Sequence, residues 1–447
     1  MTNDKSADAL STNLETALSQ LSALHPKKID LGLERIERVL AALGNPHKKL
    51  PPTVHIAGTN GKGSTVAILR AMAEADGLSV HVYTSPHLVH FRERIILAGK
   101  EISDAKLIDA ITRVQIANDG QPLSFFEATT AAAFLAFAET PAEICIVEVG
   151  LGGRYDATNV IDNPAVIGIT PVDLDHAEFL GRDIAGIARE KAGIMKPYCP
   201  AAIGPQRDEV LAVMEAQGNK NHITPLFWGQ DFRTFRQHGR LVYENGNSLM
   251  DLPLPALLGE HQIKNAGLAI TLARHMQISD RAIENGLERV RWPARLQNLT
   301  TGPYADLVKK AGGELWLDGG HNPHAARAVA SAMAELESTT PRPLILVMGI
   351  LANKDIGGFL DAFQGLASAV IGVTIPGHAA LAPETLIEIA RARFAVAGVA
   401  SDLTSAIALA IKTSQALPSH TADQPITPPR ILICGSLYLA GEVLGAQ

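Results

Sequence analysis

Apolar residues return every three or four positions through residues 12–24 and 31–43, which predicts two amphipathic helices joined by the loop around Lys27-Lys28-Ile29-Asp30-Leu31-Gly32. The pattern then changes. Thr53-Val54-His55-Ile56-Ala57 is a short, nearly continuous apolar run of strand length, followed by an Ala- and Leu-rich helical stretch from about Ser64 to Ala75. Further strand-length runs lie at 80–83, 144–149 and 166–170, with a helical pattern over 127–139. Strands alternating with helices, with polar residues just after each strand, predict an α/β domain built on a doubly wound, mostly parallel sheet.

From Pro200 to Leu258 the periodicity loosens into short strand-like pieces punctuated by Pro and Gly, and irregular β-rich structure is expected there. Helices are expected over 261–275 and 281–290. After Trp292-Pro293-Ala294-Arg295 a second α/β pattern begins, with strands at 315–317, 344–348, 369–374 and 431–434. Its helix over 323–336 opens with Pro in the first turn, where the missing N–H costs nothing. The Pro-, Ser- and Thr-rich stretch 417–430 reads as a loop. Two domains follow, 1–297 and a smaller Rossmann-like unit over 298–447.

Composition narrows the function classes. The chain has 447 residues, 47% hydrophobic and 19% charged, enough to bury sizeable cores. A net charge of -7 argues against a nucleic-acid partner, whose phosphates demand clustered Lys and Arg, and it obliges any anionic substrate to find a local basic pocket. No window supplies the ~18 uncharged apolar residues of a membrane helix. Cys145, Cys199 and Cys434 are scattered, which fits a reducing cytosol rather than a disulfide framework. The opening residues lack the apolar core of a signal peptide. A cytoplasmic monomer is expected.

The strongest chemical signal is Gly58-Thr59-Asn60-Gly61-Lys62-Gly63-Ser64, set between a strand and a helix. Glycines let backbone N–H groups turn inward around phosphate oxygens, and the helix start adds positive dipole. Lys62 would hold the outer phosphates and Ser64 or Thr65 would lie near a metal. The loop is not a standard Walker A sequence, because Ile56 stands where that pattern has its first glycine.

This variant loop resembles that of the Mur ligase superfamily, and the chain resembles its folate branch, the folylpolyglutamate synthases and bifunctional dihydrofolate synthases. The resemblance extends through Ile29 to Arg35, Tyr83-Thr84-Ser85-Pro86-His87-Leu88, the segment Glu148 to Asn159, Asp175-His176, Arg189-Glu190-Lys191-Ala192-Gly193 and Asp318 to Ala325. It implies a P-loop first domain of the Mur ligase central-domain type, ATP as nucleotide, and one or two Mg²⁺ ions, with a monovalent cation also compatible. The metal set it implies is Ser85, Glu148 and His176, with Lys191 carboxylated to a carbamate as a further ligand. Taken alone, Ser85 reads as a turn residue, His176 as a structural histidine and Lys191 as a solvated helix lysine. Glu148, inside an apolar strand, is hard to explain as structure, since an unpaired buried carboxylate is costly.

The resemblance also implies that Thr59, Asn60, Gly61, Lys62, Gly63, Ser64, Asn265, Arg295 and Asp318 contact the nucleotide, although Gln262 departs from the superfamily's Asn before Asn265. Pterin contacts are implied at Ile29, Asp30, Leu31 and Gly32, at Ser124, Phe125, Phe126 and Glu127, and at Tyr155, Asp156 and Ala157. Phe125 and Phe126 could stack on a flat heterocycle or be ordinary core, and Asp30 could instead cap the helix that follows. His321 is a candidate for the glutamate carboxylate.

The expected reaction joins L-glutamate to dihydropteroate, and further γ-linked glutamates to reduced folates, through an acyl phosphate. Lys62, Lys191, His176 and Glu148 are the expected catalytic set. Polyglutamylation alone, a peptidoglycan-type amino-acid ligase, an adenylate-forming ligase and a P-loop ATPase coupled to a partner are the alternatives. Only the folate readings need the segments at 29–32 and 124–127.

Overall fold

The computed structural model describes residues 14–21, 32–246, 248–417 and 428–447. Ile29, Asp30 and Leu31 of the expected pterin segment, and most of the loop over 417–430, lie outside them, while Gly32 is inside. Residues 14–21 are helical, and a second helix spans Glu34–Ala42. The chain divides into two compact units, one of residues 1–256 with 263–290, the other of residues 257–262 with 291–447.

In the first unit the strands are β1 (Thr53–Ala57), β2 (Val80–Tyr83), β3 (Ile95–Leu97), β4 (Lys100–Glu101), β5 (Ile144–Glu148), β6 (Val166–Ile169), β7 (Ala201–Ile203) and β8 (Leu226–Phe227). They form one sheet in the order β4-β3-β2-β5-β1-β6-β7-β8, parallel from β2 to β8 with β3 and β4 antiparallel at one edge. Tyr83, Cys145 and Val147 belong to one core and Ile167, Ile169 and Ile203 to a second, both on the face that the buried His55 shares, while Val54, Ile56, Val82, Ile146 and Val166 are buried on the opposite face. Covering on both faces is why β1, β2, β5 and β6 read as unbroken apolar runs rather than alternating ones.

Register decides where the chemistry lies. Tyr83 pairs with Val147, Ile56 with Glu148, and Ala57 with Ile169. The segments that leave β2, β5, β1 and β6 therefore emerge side by side along one carboxyl edge. That edge is where ligands bind in open α/β sheets.

The stretch expected to be irregular after Pro200 contains a regular helix, Asp208–Lys220. Its buried Val210, Met214 and Gly218 are spaced four apart and Asp208 and Glu209 open its first turn, so a helical signal was present but was obscured by the interior glycine. Beyond it β9 (Phe232–Gln237), β10 (Arg240–Asn245) and β11 (Ser248–Leu252) make a separate antiparallel sheet.

The second unit carries β12 (Gln297–Leu299), β13 (Glu314–Leu317), β14 (Leu344–Met348), β15 (Ala367–Gly372), β16 (Ala397–Val399) and β17 (Arg430–Cys434), ordered β12-β13-β17-β14-β15-β16 and parallel apart from β12. Arg430, almost fully buried, holds Glu314, Glu337 and the Thr340 carbonyl at its edge.

The helix Lys62–Ala75 that follows the glycine loop is braced by the helix Asp280–Arg289, and Gly286 permits the contact: a Cβ there would lie 2.6 Å from the Met72 backbone. Gly286→Ala is expected to destabilise the fold by about 1–3 kcal/mol, the usual cost of overpacking. Urea unfolding measures it, and an unchanged midpoint would show that the two helices separate freely.

Candidate active site

The glycine loop is fastened to the end of β6 rather than left open. Thr59 N–H donates to the Pro171 carbonyl (2.9 Å), and Thr59 Oγ1 both donates to the Asp173 carbonyl and accepts from Asp173 N–H. A Cβ at Gly58 would fall 1.8 Å from Thr170 Oγ1, and Gly58 has φ 144°. Glycine is obligatory there for both reasons. Gly61, the residue before the helix, has φ 90°, and a Cβ would meet the Asn265 side-chain amide at 2.5 Å. Asn265, expected at the nucleotide base, is thus buried against the loop itself.

Lys62 Nζ donates to the carbonyls of Gly58 (3.1 Å) and Thr59 (3.3 Å). Lys191 Nζ donates to the same Gly58 carbonyl at 2.9 Å. Lys191 lies on the helix Ile184–Ala192 and is buried. Burial, then the neighbouring Lys62 charge, lower its pKa to about 7 against partial compensation from Asp175 and Asp156. It is not the solvated lysine its sequence context suggests.

Glu148 closes β5, almost fully buried, and one carboxylate oxygen accepts from Ser85 N–H at 3.3 Å. The Ser85–Pro86 peptide is cis. His176 is solvent-exposed at the end of the segment leaving β6, with φ 52°, its N–H bonded to the Asp175 carboxylate. Among the described residues no three His, Cys, Asp or Glu side chains cluster as a closed cage. Mg²⁺ ordinarily needs only one or two carboxylates and completes its shell with water and phosphate oxygens. A buried carboxylate and a hydroxyl beside a phosphate-type loop fit that ion.

The segment after β5 carries the next layer. A Cβ at Gly153 would come 2.5 Å from the Glu190 carbonyl and 3.0 Å from Lys191 Cα, and one at Gly193 would lie 2.5 Å from Arg154 Cβ. Two glycines thereby let the loop after Glu148 lie flat on the helix of Lys191. Asp156, buried, accepts from Leu151 N–H, Thr158 N–H and Thr158 Oγ1, and burial raises its pKa. Thr158 Oγ1 also meets His55 Nε2 at 2.9 Å; burial lowers the His55 pKa to about 3, so this ring is neutral. Ala157 is buried behind it, and Tyr155 stands exposed.

Ser124 caps the helix Phe125–Ala138, and Glu127 returns the bond to Ser124 N–H. Glu127 also pairs with Arg35 Nε at 3.0 Å. Ser124-x-x-Glu127 is a capping-box signature that was readable in the sequence, and the Arg35 pairing was not. Phe125 and Phe126 are half-buried, packed edge-on to Phe91 (5.8 Å) and tilted on Tyr83 (6.0 Å) respectively. Each therefore joins the core while keeping some exposed surface.

In the second unit, Asp318 is buried and accepts from Leu296 N–H (2.8 Å) and Gly320 N–H (2.7 Å). Burial raises its pKa, opposed by Arg295. Arg295 sits between Ala294 and Leu296, both with positive φ (55° and 46°), a strained turn that Asp318 and the Gly319 N–H bond to the Ala294 carbonyl hold in place. His321 Nδ1 lies 3.3 Å from the Gly319 carbonyl, just before the helix Pro323–Thr339 capped by Asn322.

Residues 56–273 match the Mur ligase middle domain and residues 305–422 the Mur ligase glutamate ligase domain. The chain is 34% identical to a dihydrofolate synthase/folylpolyglutamate synthase of Mycobacterium tuberculosis, over 93% of this chain and 89% of that one. The structure of E. coli FolC in complex with DHPP and ADP superposes with a TM-score of 0.83, at 29% identity and 97% coverage of both chains. A bifunctional folylpolyglutamate synthase/dihydrofolate synthase from Yersinia pestis, complexed with AMPPNP and a Mn ion, gives 0.83 at 30% identity, again over 97% of both. The chain belongs to the Mur ligase family, in its dihydrofolate synthase/folylpolyglutamate synthase branch.

Proposed function

We propose that this chain is an ATP-dependent ligase that joins L-glutamate to dihydropteroate and then adds γ-linked glutamates to reduced folates. It acts through an acyl phosphate and releases ADP and phosphate. The observation that carries the reading is the convergence of Lys62, Lys191 and Glu148 at the ends of neighbouring strands. The ligands named for the E. coli and Yersinia relatives, ADP, AMPPNP and Mn, support ATP with a divalent ion as the nucleotide species. A cytoplasmic monomer with small-molecule partners and no nucleic acid or membrane is part of the same reading. No helix among the described residues is long and apolar enough to cross a membrane.

Joining an amine to a free carboxylate needs a leaving group, which ATP supplies as phosphate. The glycine loop would bind the triphosphate through its N–H groups, with Lys62 leaving the Gly58 and Thr59 carbonyls for the outer phosphates. Mg²⁺ held by Ser85, Glu148 and His176 would neutralise charge on the transferring phosphoryl group. Phe125, Phe126 and the 155–157 turn would orient the pterin, and Arg295, Asp318 and His321 would serve the nucleotide and glutamate. Incubating the protein with ATP, Mg²⁺, glutamate and either dihydropteroate or tetrahydrofolate, then weighing the products, tests this. Products one glutamate heavier support it, and ATP turnover indifferent to both acceptors overturns it.

Lys191 suits carboxylation. A free amine adds CO₂ and releases a proton, turning a cation beside the phosphate loop into an oxygen ligand. An ordinary lysine keeps its proton to 10.5, whereas the folded chain releases it near 7. Between those values the folded state binds fewer protons than the unfolded, so the destabilisation from this buried charge is complete below 7 and fades as pH rises toward 10.5. With ¹³C-bicarbonate, a carbamate resonance is expected to grow through pH ~7 and to vanish in Lys191→Gln, following the neutral fraction of an amine of that pKa. Growth only above about pH 10 would contradict the assignment.

Glu148→Ala is expected to lower kcat/KM by more than about 100-fold, beyond the 10–100-fold usual for losing a group that merely supports a metal ligand. Its melting temperature should hold or rise, since a buried carboxylate is removed. Turnover near wild type would remove Glu148 from the metal site.

A further inference from the structure

We propose that an open cleft against the helix that carries Lys191 binds the anionic γ-glutamyl tail of substrates that already carry several glutamates, through Arg154 and Arg189; this rests on the ligase reading above. The cleft, of about 400 Å³, lies between Arg154-Tyr155 and the helices Ala177–Leu180 and Ile184–Ala192. Tyr155 and Phe179 present exposed rings to it, and Leu180 closes it toward Gly152, where a Cβ would sit 3.3 Å away.

Its position ties it to the reaction. One wall is the helix that carries Lys191, and Gly153, next to Arg154, is packed on Lys191 itself. The other helix begins directly after His176, whose carbonyl accepts from Phe179 and Leu180 N–H. The loop after Glu148 and the helix of Lys191, which wall the cleft, therefore also carry groups of the reacting end.

Its chemistry matches the tail. Every γ-linked addition consumes one γ-carboxylate as an amide and leaves one α-carboxylate behind, so the tail gains a negative charge with each residue. On a chain of net charge -7 such an anion needs local cations. Arginine forks suit carboxylates geometrically, and the two rings can cover the methylenes between charges. The arginines are only loosely committed: Arg154 Nε lies 4.0 Å from Glu190 Oε1, and Arg189 pairs with Asp183 at 3.0 Å in an exposed bridge. Exposed pairs of this kind exchange partners at little cost. Glu190 also lines the cleft, so a tail carboxylate would compete with it for Arg154.

The test compares acceptors of different tail length on one purified protein. KM and kcat are measured for dihydropteroate, which has no tail, and for tetrahydropteroyl-triglutamate, in wild type, Arg154→Ala, Arg189→Ala and the double variant. Alanine keeps the Arg154 Cβ that packs on Gly193. Expected is a rise in the triglutamate KM of about tenfold for each single variant, the scale of one lost charge-assisted contact, with dihydropteroate constants unchanged within about twofold. Added salt should raise the triglutamate KM of wild type and leave that of the double variant flat. Equal effects on both acceptors, or none on either, would overturn the proposal, as would wild type that uses dihydropteroate but not the triglutamate. Wild type that uses neither acceptor would instead overturn the ligase reading.

Discussion

Two lysine amines meet on one backbone oxygen. Lys62 and Lys191 both donate to the Gly58 carbonyl, and the charge of the first is among the forces that strip the proton from the second. The arrangement is one of unused positive potential. Lys62 holds the Gly58 and Thr59 carbonyls, which a phosphate oxygen would outcompete through a stronger charge-assisted bond. Burial and the Lys62 charge lower the Lys191 pKa to about 7, which shifts it toward the neutral amine. The same local field thus favours an anion on one lysine and loss of the proton from the other.

That meeting is possible only because glycines remove the side chains that would keep the pieces apart. Gly58 lets the loop touch Thr170, Gly61 admits Asn265, and Gly153 and Gly193 seat the loop after Glu148 on the helix of Lys191. Parallel register does the remainder by bringing the ends of β2, β5, β1 and β6 to one edge. Strain is held in place elsewhere, as at Ala294 and Leu296, whose left-handed backbone is pinned by Asp318 and so presents Arg295.

Much of this was legible in the chain. Apolar runs of strand length located β1, β2, β5 and β6, because strands covered on both faces leave no polar alternation to confuse them. The glycine-rich segment after β1 was legible as a tight turn between a strand and a helix, and that is where the structure has it. The environment of Lys191 was not legible: nothing in Arg-Glu-Lys-Ala-Gly indicates that its amine is buried against a carbonyl more than a hundred residues away. The same holds for Arg35 with Glu127 and for His55 with Thr158, pairings made by tertiary packing alone. The helix Asp208–Lys220 was hidden for a local reason, a glycine at one of its buried positions. Ser124 and Glu127 carried a capping signal, and their mutual bonds and the Arg35 pair account for the positions of both side chains whatever else they touch.

The measurement that tests the account most directly follows oxygen. Dihydropteroate labelled with ¹⁸O in its carboxylate is turned over with ATP and glutamate, and the released phosphate is weighed. If the cations at Gly58 serve transfer of a phosphoryl group onto that carboxylate, one labelled oxygen leaves in phosphate for each amide formed. Label recovered in AMP, or phosphate released without label while the amide forms, would contradict it.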